Sequence, residues 1–149
     1  RLPPMVARFS DAFGSGLPAA EGDAERYRNT FQRSLEFVKL LHDAGVPIVP
    51  GTDAMPGFTL QHELELYSKA GISNADVLYL ATLGAAKVMG HADDTGSVAP
   101  GKRADFILLD GNPLRDMREI RNVEWIVRDG RLYRAADVEK ALGMLPRKD

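Results

Sequence analysis

Cysteine is absent from the 149 residues, which excludes disulfides, thiolate metal ligands and a cysteine nucleophile. No apolar run approaches the roughly 20 residues a helix needs to cross a bilayer, so no membrane partner is expected. There is no basic block either: 19 Lys and Arg stand against 21 Asp and Glu, for a net charge of -2. That balance gives no electrostatic footprint for nucleic acid. A phosphate-cradling loop is also missing, because Gly14-Ser15-Gly16 lacks the strand–loop–helix setting such a loop requires. Arg1–Gly22 has no signal-peptide layout, and the chain is read as cytoplasmic. It starts without a methionine and reads as the interior of a longer polypeptide. No internal repeat or low-complexity segment is visible.

What is present begins with 44% hydrophobic residues, enough for one domain to bury a core. The most informative stretch is Val46-Pro47-Ile48-Val49-Pro50-Gly51-Thr52-Asp53-Ala54. A short apolar run bounded by turn residues after a helical pattern fits a parallel-sheet strand over 46–50. Such strands are covered on both faces, so an acid reaches solvent only at the strand's end. Asp53 stands there. Two readings stay open on these residues: Asp53 is a chemical group, or it caps the turn or the following helix.

Around that stretch, residues 1 to about 22 read as a loop rich in proline and glycine. Phe31, Leu35, Val38 and Leu41 recur at helical spacing from Asp23 onward, and Gly45 supplies the left-handed terminator. After the loop 54–58, a helix is expected from about Thr59 to Ala70. Ser73-Asn74-Ala75-Asp76 has the shape of a capping box and launches another helix through Met89. The order helix, strand, helix, helix suits the closing segment of an α/β barrel. Near residue 95 the pattern turns to β. Gly96–Ala99 is a short strand candidate followed by the turn dipeptide Pro100-Gly101. Ala104–Asp110 reads as a strand buried on both faces or covered by other elements. Val123, Trp125 and Val127 alternate as in a strand, Asp129-Gly130 marks a hairpin leading into Arg131–Arg134, and Asp137–Leu142 closes as a short helix.

Four motifs together, Gly51-Thr52-Asp53-Ala54, His62-Glu63-Leu64-Glu65-Leu66, Ala81-Thr82-Leu83-Gly84-Ala85-Ala86 and Gly96-Ser97-Val98-Ala99-Pro100-Gly101-Lys102-Arg103-Ala104-Asp105, resemble the C-terminal end of an amidohydrolase-superfamily enzyme. The nearest likeness is to the imidazolonepropionase-like and Xaa-Pro-dipeptidase-like branch, over about Phe31–Tyr133. The resemblance implies an α/β fold: residues 1–94 as the C-terminal segment of a (β/α)8 TIM barrel, and 95–149 as the C-terminal strands of a small β-sandwich. It implies a metal-dependent hydrolase of amide, cyclic amide or peptide C–N bonds, acting on a small molecule or short peptide with one or two divalent ions, zinc foremost. Asp53 would be the aspartate at the end of the eighth barrel strand, touching the metal-bound water, accepting its proton and handing it to the leaving amine. A divalent metal lowers the pKa of its water toward ~7, and a carboxylate within hydrogen-bond reach can shuttle the proton in both half-reactions.

The family's His-x-His pair, bridging lysine or carboxylate, and later strand-end histidines have no counterpart in this sequence. Catalytic zinc typically takes ~3 protein ligands, and Asp53 is the single metal contact expected here. The chain alone is therefore expected to be inactive and to need the missing N-terminal part of the enzyme as partner. Strands without neighbours are expected to make it self-associate, as a homo-oligomer or aggregate. The rival reading is a non-catalytic structural or assembly segment of a barrel protein.

Other residues are weighed similarly. His62, at the start of the helix after the Asp53 loop, is either a substrate-side histidine or a solvent-facing one. Thr52 is read as positioning the loop or an Asp53 oxygen beside substrate. Met55, Pro56 and Phe58 either line a pocket or pack the loop. His42 suits a helix C-terminus, and His91 with Asp93-Asp94 reads as a turn. Lys102, Arg103 and Asp105 read as a folding signature, and Trp125 as a sandwich core residue.

Overall fold

The computed structural model describes residues 21–52 and 59–144. Asp53, together with Met55, Pro56 and Phe58, lies outside the described residues, as do residues 1–20 of the loop expected over 1 to about 22. The long helix α1 covers Ala24–Asp43. Leu35 is buried and Val38 packs against the core, whereas Phe31 stays 46% exposed. The helix ends where Gly45 takes φ 71°. Gly45 N–H then bonds the His42 carbonyl and Val46 N–H the Leu41 carbonyl, the paired closure that a left-handed residue makes possible.

The strand expected over 46–50 does not form among the described residues; the segment is irregular. A strand needs a hydrogen-bonded neighbour, Pro47 and Pro50 offer no N–H, and no described strand lies alongside. The run still does apolar work: Pro50 is buried and Ile48 packs on the core.

Helix α2 covers Leu60–Lys69 and α3 covers Asn74–Tyr79. Ser73 caps α3, its hydroxyl accepting from Asp76 N–H at 3.1 Å, which is the capping-box half that the sequence announces. The helix continues through a π-turn, Leu80–Gly84, into α4, Ala85–Val88. This wide turn falls on the Ala81–Ala86 motif, and Thr82 donates to the Leu78 carbonyl at 2.6 Å.

Beyond residue 90 the chain is first irregular. No strand forms at Gly96–Ala99; instead Gly96 lies against the preceding helix, where a Cβ would come within 2.6 Å of the Ala86 Cβ. Strands β1, Phe106–Leu109, β2, Val123–Arg128, and β3, Arg131–Arg134, form one antiparallel sheet in that order. Ile107 pairs with Ile126 and that residue with Tyr133, while Leu108 pairs with Trp125 and that residue with Arg134. Asp129 and Gly130 both take positive φ, 51° and 73°, as the hairpin pattern demands. A 3-10 turn over Met117–Arg121, capped by the Asp116 carboxylate on Arg118 N–H, joins β1 to β2. Helix α5, Ala135–Ala141, follows the sheet.

The core is small: Leu64, Tyr67, Ile72 and Val77 from the α2–α3 pair meet Met117 and Ile120 of the 3-10 turn. It therefore draws on both sides of residue 95. Strand β1, expected to be buried on both faces or covered by other elements, is only partly covered by the described residues, for Ile107 and Leu108 are 44% and 49% exposed. Trp125 is likewise only half-buried. Both faces of the sheet carry apolar side chains, and the described residues cover neither completely.

Candidate functional site

The motif Pro100-Gly101-Lys102-Arg103-Ala104-Asp105 proves to be architecture. The Lys102 ammonium donates to the carbonyls of Ala92 and Thr95, and Arg103 N–H bonds the Asp94 carbonyl at 2.9 Å. These bonds tie the turn at His91–Thr95 to the start of the sheet. The Asp105 carboxylate accepts from Asp129 N–H at 2.6 Å and from Arg128, with Arg103 at 3.5 Å. Ala104 takes Gly130 N–H through its carbonyl. The Lys102 and Asp105 charges are thus committed to backbone groups and the hairpin, leaving no anion-binding cluster in this motif.

The histidines lie apart. His42, at the end of α1, has Nδ1 3.3 Å from Asp43. The Lys39 ammonium, followed by His42, holds the Asp43 carboxyl below its ordinary value. His91 is 3.9 Å from Asp94 within a turn whose 94 and 95 amides bond back to the His91 carbonyl. Among the described residues no three His, Asp or Glu side chains converge as a metal site would require.

The neighbourhood of the Asp53 segment is better defined. Thr52 and Thr59 flank it, and the Thr59 hydroxyl donates to the Thr52 hydroxyl at 3.0 Å. The two ends of the segment are therefore held together. Helix α2 begins at once, with the Gln61 side-chain oxygen buried and meeting no donor among the described residues. Helical geometry then divides the acidic motif. Leu64 and Tyr67 point into the core. Burial raises the Glu63 carboxyl above its ordinary value against a lowering by His62, and burial followed by the Glu63 charge raises the Tyr67 hydroxyl. His62 faces solvent, its side chain 63% exposed, with Nδ1 3.5 Å from Glu65. The other Glu65 oxygen accepts from Arg121 Nε on the 3-10 turn. Arg121, then His62, hold the Glu65 carboxyl below its ordinary value despite partial burial. Sequence reading singled out His62 and Thr52 but not Glu65 or Arg121. Those two are 56 positions apart, and no local pattern pairs residues at such a separation.

The chain matches the family model described as Amidohydrolase family over residues 28–133. It belongs to that family. Within the amidohydrolases it falls in the imidazolonepropionase- and prolidase-like branch. It is 35% identical over 107 residues to an imidazolonepropionase of Deinococcus deserti, covering 68% of this chain and 23% of that one. It is 32% identical over 100 residues to an ochratoxinase of Aspergillus niger, covering 64% of this chain and 21% of that protein. Among solved structures, a Xaa-Pro dipeptidase with methionine bound in its active site superposes with a TM-score of 0.60 at 31% identity, over 72% of this chain and 25% of that one. This amidohydrolase chain thus spans about a quarter of the length of such relatives.

Proposed function

We propose that the chain is the C-terminal part of a metal-dependent amidohydrolase that cleaves an amide, cyclic amide or peptide C–N bond in a small molecule or short peptide. Residues 1–94 would close its (β/α)8 barrel, and residues 95–149 would supply strands of its small β-sandwich. The observation that carries this reading is the family match across residues 28–133, which spans Gly51-Thr52-Asp53 and the Lys102–Asp105 motif alike. The related imidazolonepropionase, ochratoxinase and Xaa-Pro dipeptidase favour a C–N bond and leave the substrate's identity to the rest of the protein.

In this reading Asp53 takes a proton from the attacking water and returns it to the leaving nitrogen, as a carboxylate in hydrogen-bond reach can. The Thr52–Thr59 bond fixes the ends of the segment that carries it, and His62 stands on the substrate side. A divalent metal, zinc foremost, would supply Lewis acidity and an acidic bound water. The described residues do not fit a metal centre by themselves, so the remaining ligands belong to the missing N-terminal part, without which the chain is inactive.

The test joins this segment to its upstream barrel, loads zinc and follows hydrolysis of N-acyl amino acids and dipeptides. Asp53→Asn is expected to lower kcat by about 100-fold or more, the usual weight of a positioned acid–base. Unchanged turnover would remove Asp53 from the role. Metal analysis of the 149-residue chain alone is expected to find no stoichiometric zinc, and tightly held zinc would overturn the divided site.

A further inference from the structure

We propose that Arg121, acting through Glu65, is a positioning residue for His62: the guanidinium fixes one carboxylate oxygen so that the other receives the His62 Nδ1–H and Nε2 is left unprotonated. The inference rests on the substrate-side reading of His62. It deepens that reading by naming which ring nitrogen is presented and what sets it.

Three observations support the arrangement. His62 Nδ1 lies 3.5 Å from Glu65 Oε2, and Arg121 Nε donates to Oε1, so the two oxygens of one carboxylate serve different partners. The Glu65 side chain is only 20% exposed while His62 and Arg121 are 63% and 46% exposed, so the most buried member is the one in the middle. Arg121 belongs to the turn whose Met117 and Ile120 pack into the core beside Leu64, which gives the guanidinium a fixed origin. A histidine and a glutamate three apart on a helix meet often; here the carboxylate is anchored from another element.

The chemistry follows from the ring. Which imidazole nitrogen carries the proton is set by the hydrogen bond the other one makes. A carboxylate can only accept, so it selects Nδ1–H and leaves the Nε2 lone pair available to accept a hydrogen bond or a proton from substrate or water. The other charges near this group are Glu63 on the same helix and Arg118 on the 3-10 turn. Arg118 is held by Asp116, its Nη2 2.7 Å from the carboxylate; Glu63 feels the His62 charge, but among the described residues the carboxylate within hydrogen-bond distance of Nδ1 is that of Glu65.

Long-range 1H–15N spectra of the whole 149-residue chain, at a pH where histidine is neutral, read the tautomer of each ring. The expected result is a predominantly Nδ1–H form for His62. Glu65→Gln keeps size and packing but is expected to invert it: the amide oxygen goes to Arg121, the NH2 donates to Nδ1, and the ring proton moves to Nε2. Arg121→Gln, at an exposed site, is expected to lose the Nδ1–H excess. His42 and His91 are the internal controls and keep their signals. A neutral His62 that is Nε2–H in the wild type, or that stays Nδ1–H in either variant, overturns the proposal. No substrate or metal enters the measurement, so a failure of the hydrolase reading leaves this result standing, and the reverse.

Discussion

Removing the Asp105 carboxylate strands the donors that converge on it, the Asp129 amide foremost. Asp129 holds an uncommon positive φ at the hairpin turn, and its N–H bonds the Asp105 carboxylate there. Asp105→Ala is therefore expected to destabilise the chain by about 1–3 kcal/mol, read as a lower midpoint in urea. Glu65 gives a pH-dependent counterpart. Arg121, with a smaller share from His62, depresses its carboxyl in the folded state, so the folded chain binds that proton less tightly than the unfolded chain. The sign follows from linkage. The contribution is complete above the ordinary glutamate value of 4.5 and is lost as pH falls through the lower folded value. The stability difference between wild type and Glu65→Gln should accordingly shrink on acidification below that value. Glu63 has the opposite sign, because burial raises its carboxyl: what it contributes is present at low pH and lost as pH rises through the raised value.

At the level of elements, Gly96 shows how a motif can be right while its assigned structure is wrong. Its φ is 83° and a Cβ would overlap Ala86 at 2.6 Å, so glycine is needed for contact with a helix and no ladder is involved. Gly96→Ala is expected to cost about 2–4 kcal/mol, from overpacking together with the left-handed backbone, and thermal melts would show it. The helices were legible because their signals are local: the Ser73 cap, the Gly45 stop and the apolar spacing of Leu35 and Val38 all act within a turn or two. The hairpin was legible for the same reason at Asp129-Gly130. The segment over 46–50 is irregular here because a strand is defined by a partner, and the neighbours expected for it are not supplied by the described residues. The 3-10 turn at Met117–Arg121 went unread, since its two buried residues, Met117 and Ile120, are too few to establish a period.

For the whole molecule the decisive property is exposed apolar surface. Tyr27, Phe37 and Leu40 of α1 are 55%, 58% and 62% exposed, and Leu132 of the sheet is 59% exposed. Both sheet edges, β1 and β3, lack partners among the described residues. We propose that the chain alone self-associates through these surfaces, since unpaired edges and large apolar patches promote association. Sedimentation should then give masses above the 16.3 kDa of one chain, falling when the upstream barrel is supplied. A monodisperse, cooperatively melting monomer would contradict the proposal. No described helix is long and apolar enough to cross a membrane.

The sequence by itself determined the helices, the hairpin and the family, because caps, turn residues and a long ordered set of motifs are written in neighbouring positions. It also pointed to Asp53, which lies outside the described residues, and its role there is still to be tested by the asparagine variant. Tertiary structure alone decided which groups Lys102 and Asp105 hold in the structural role their motif suggested, that Gly96 rests on a helix, and that Arg121 reaches Glu65 and, through it, His62. Each of these depends on groups brought together across a folded chain, where the partner's identity, and not the residue's own type, fixes what its charge or its missing side chain does.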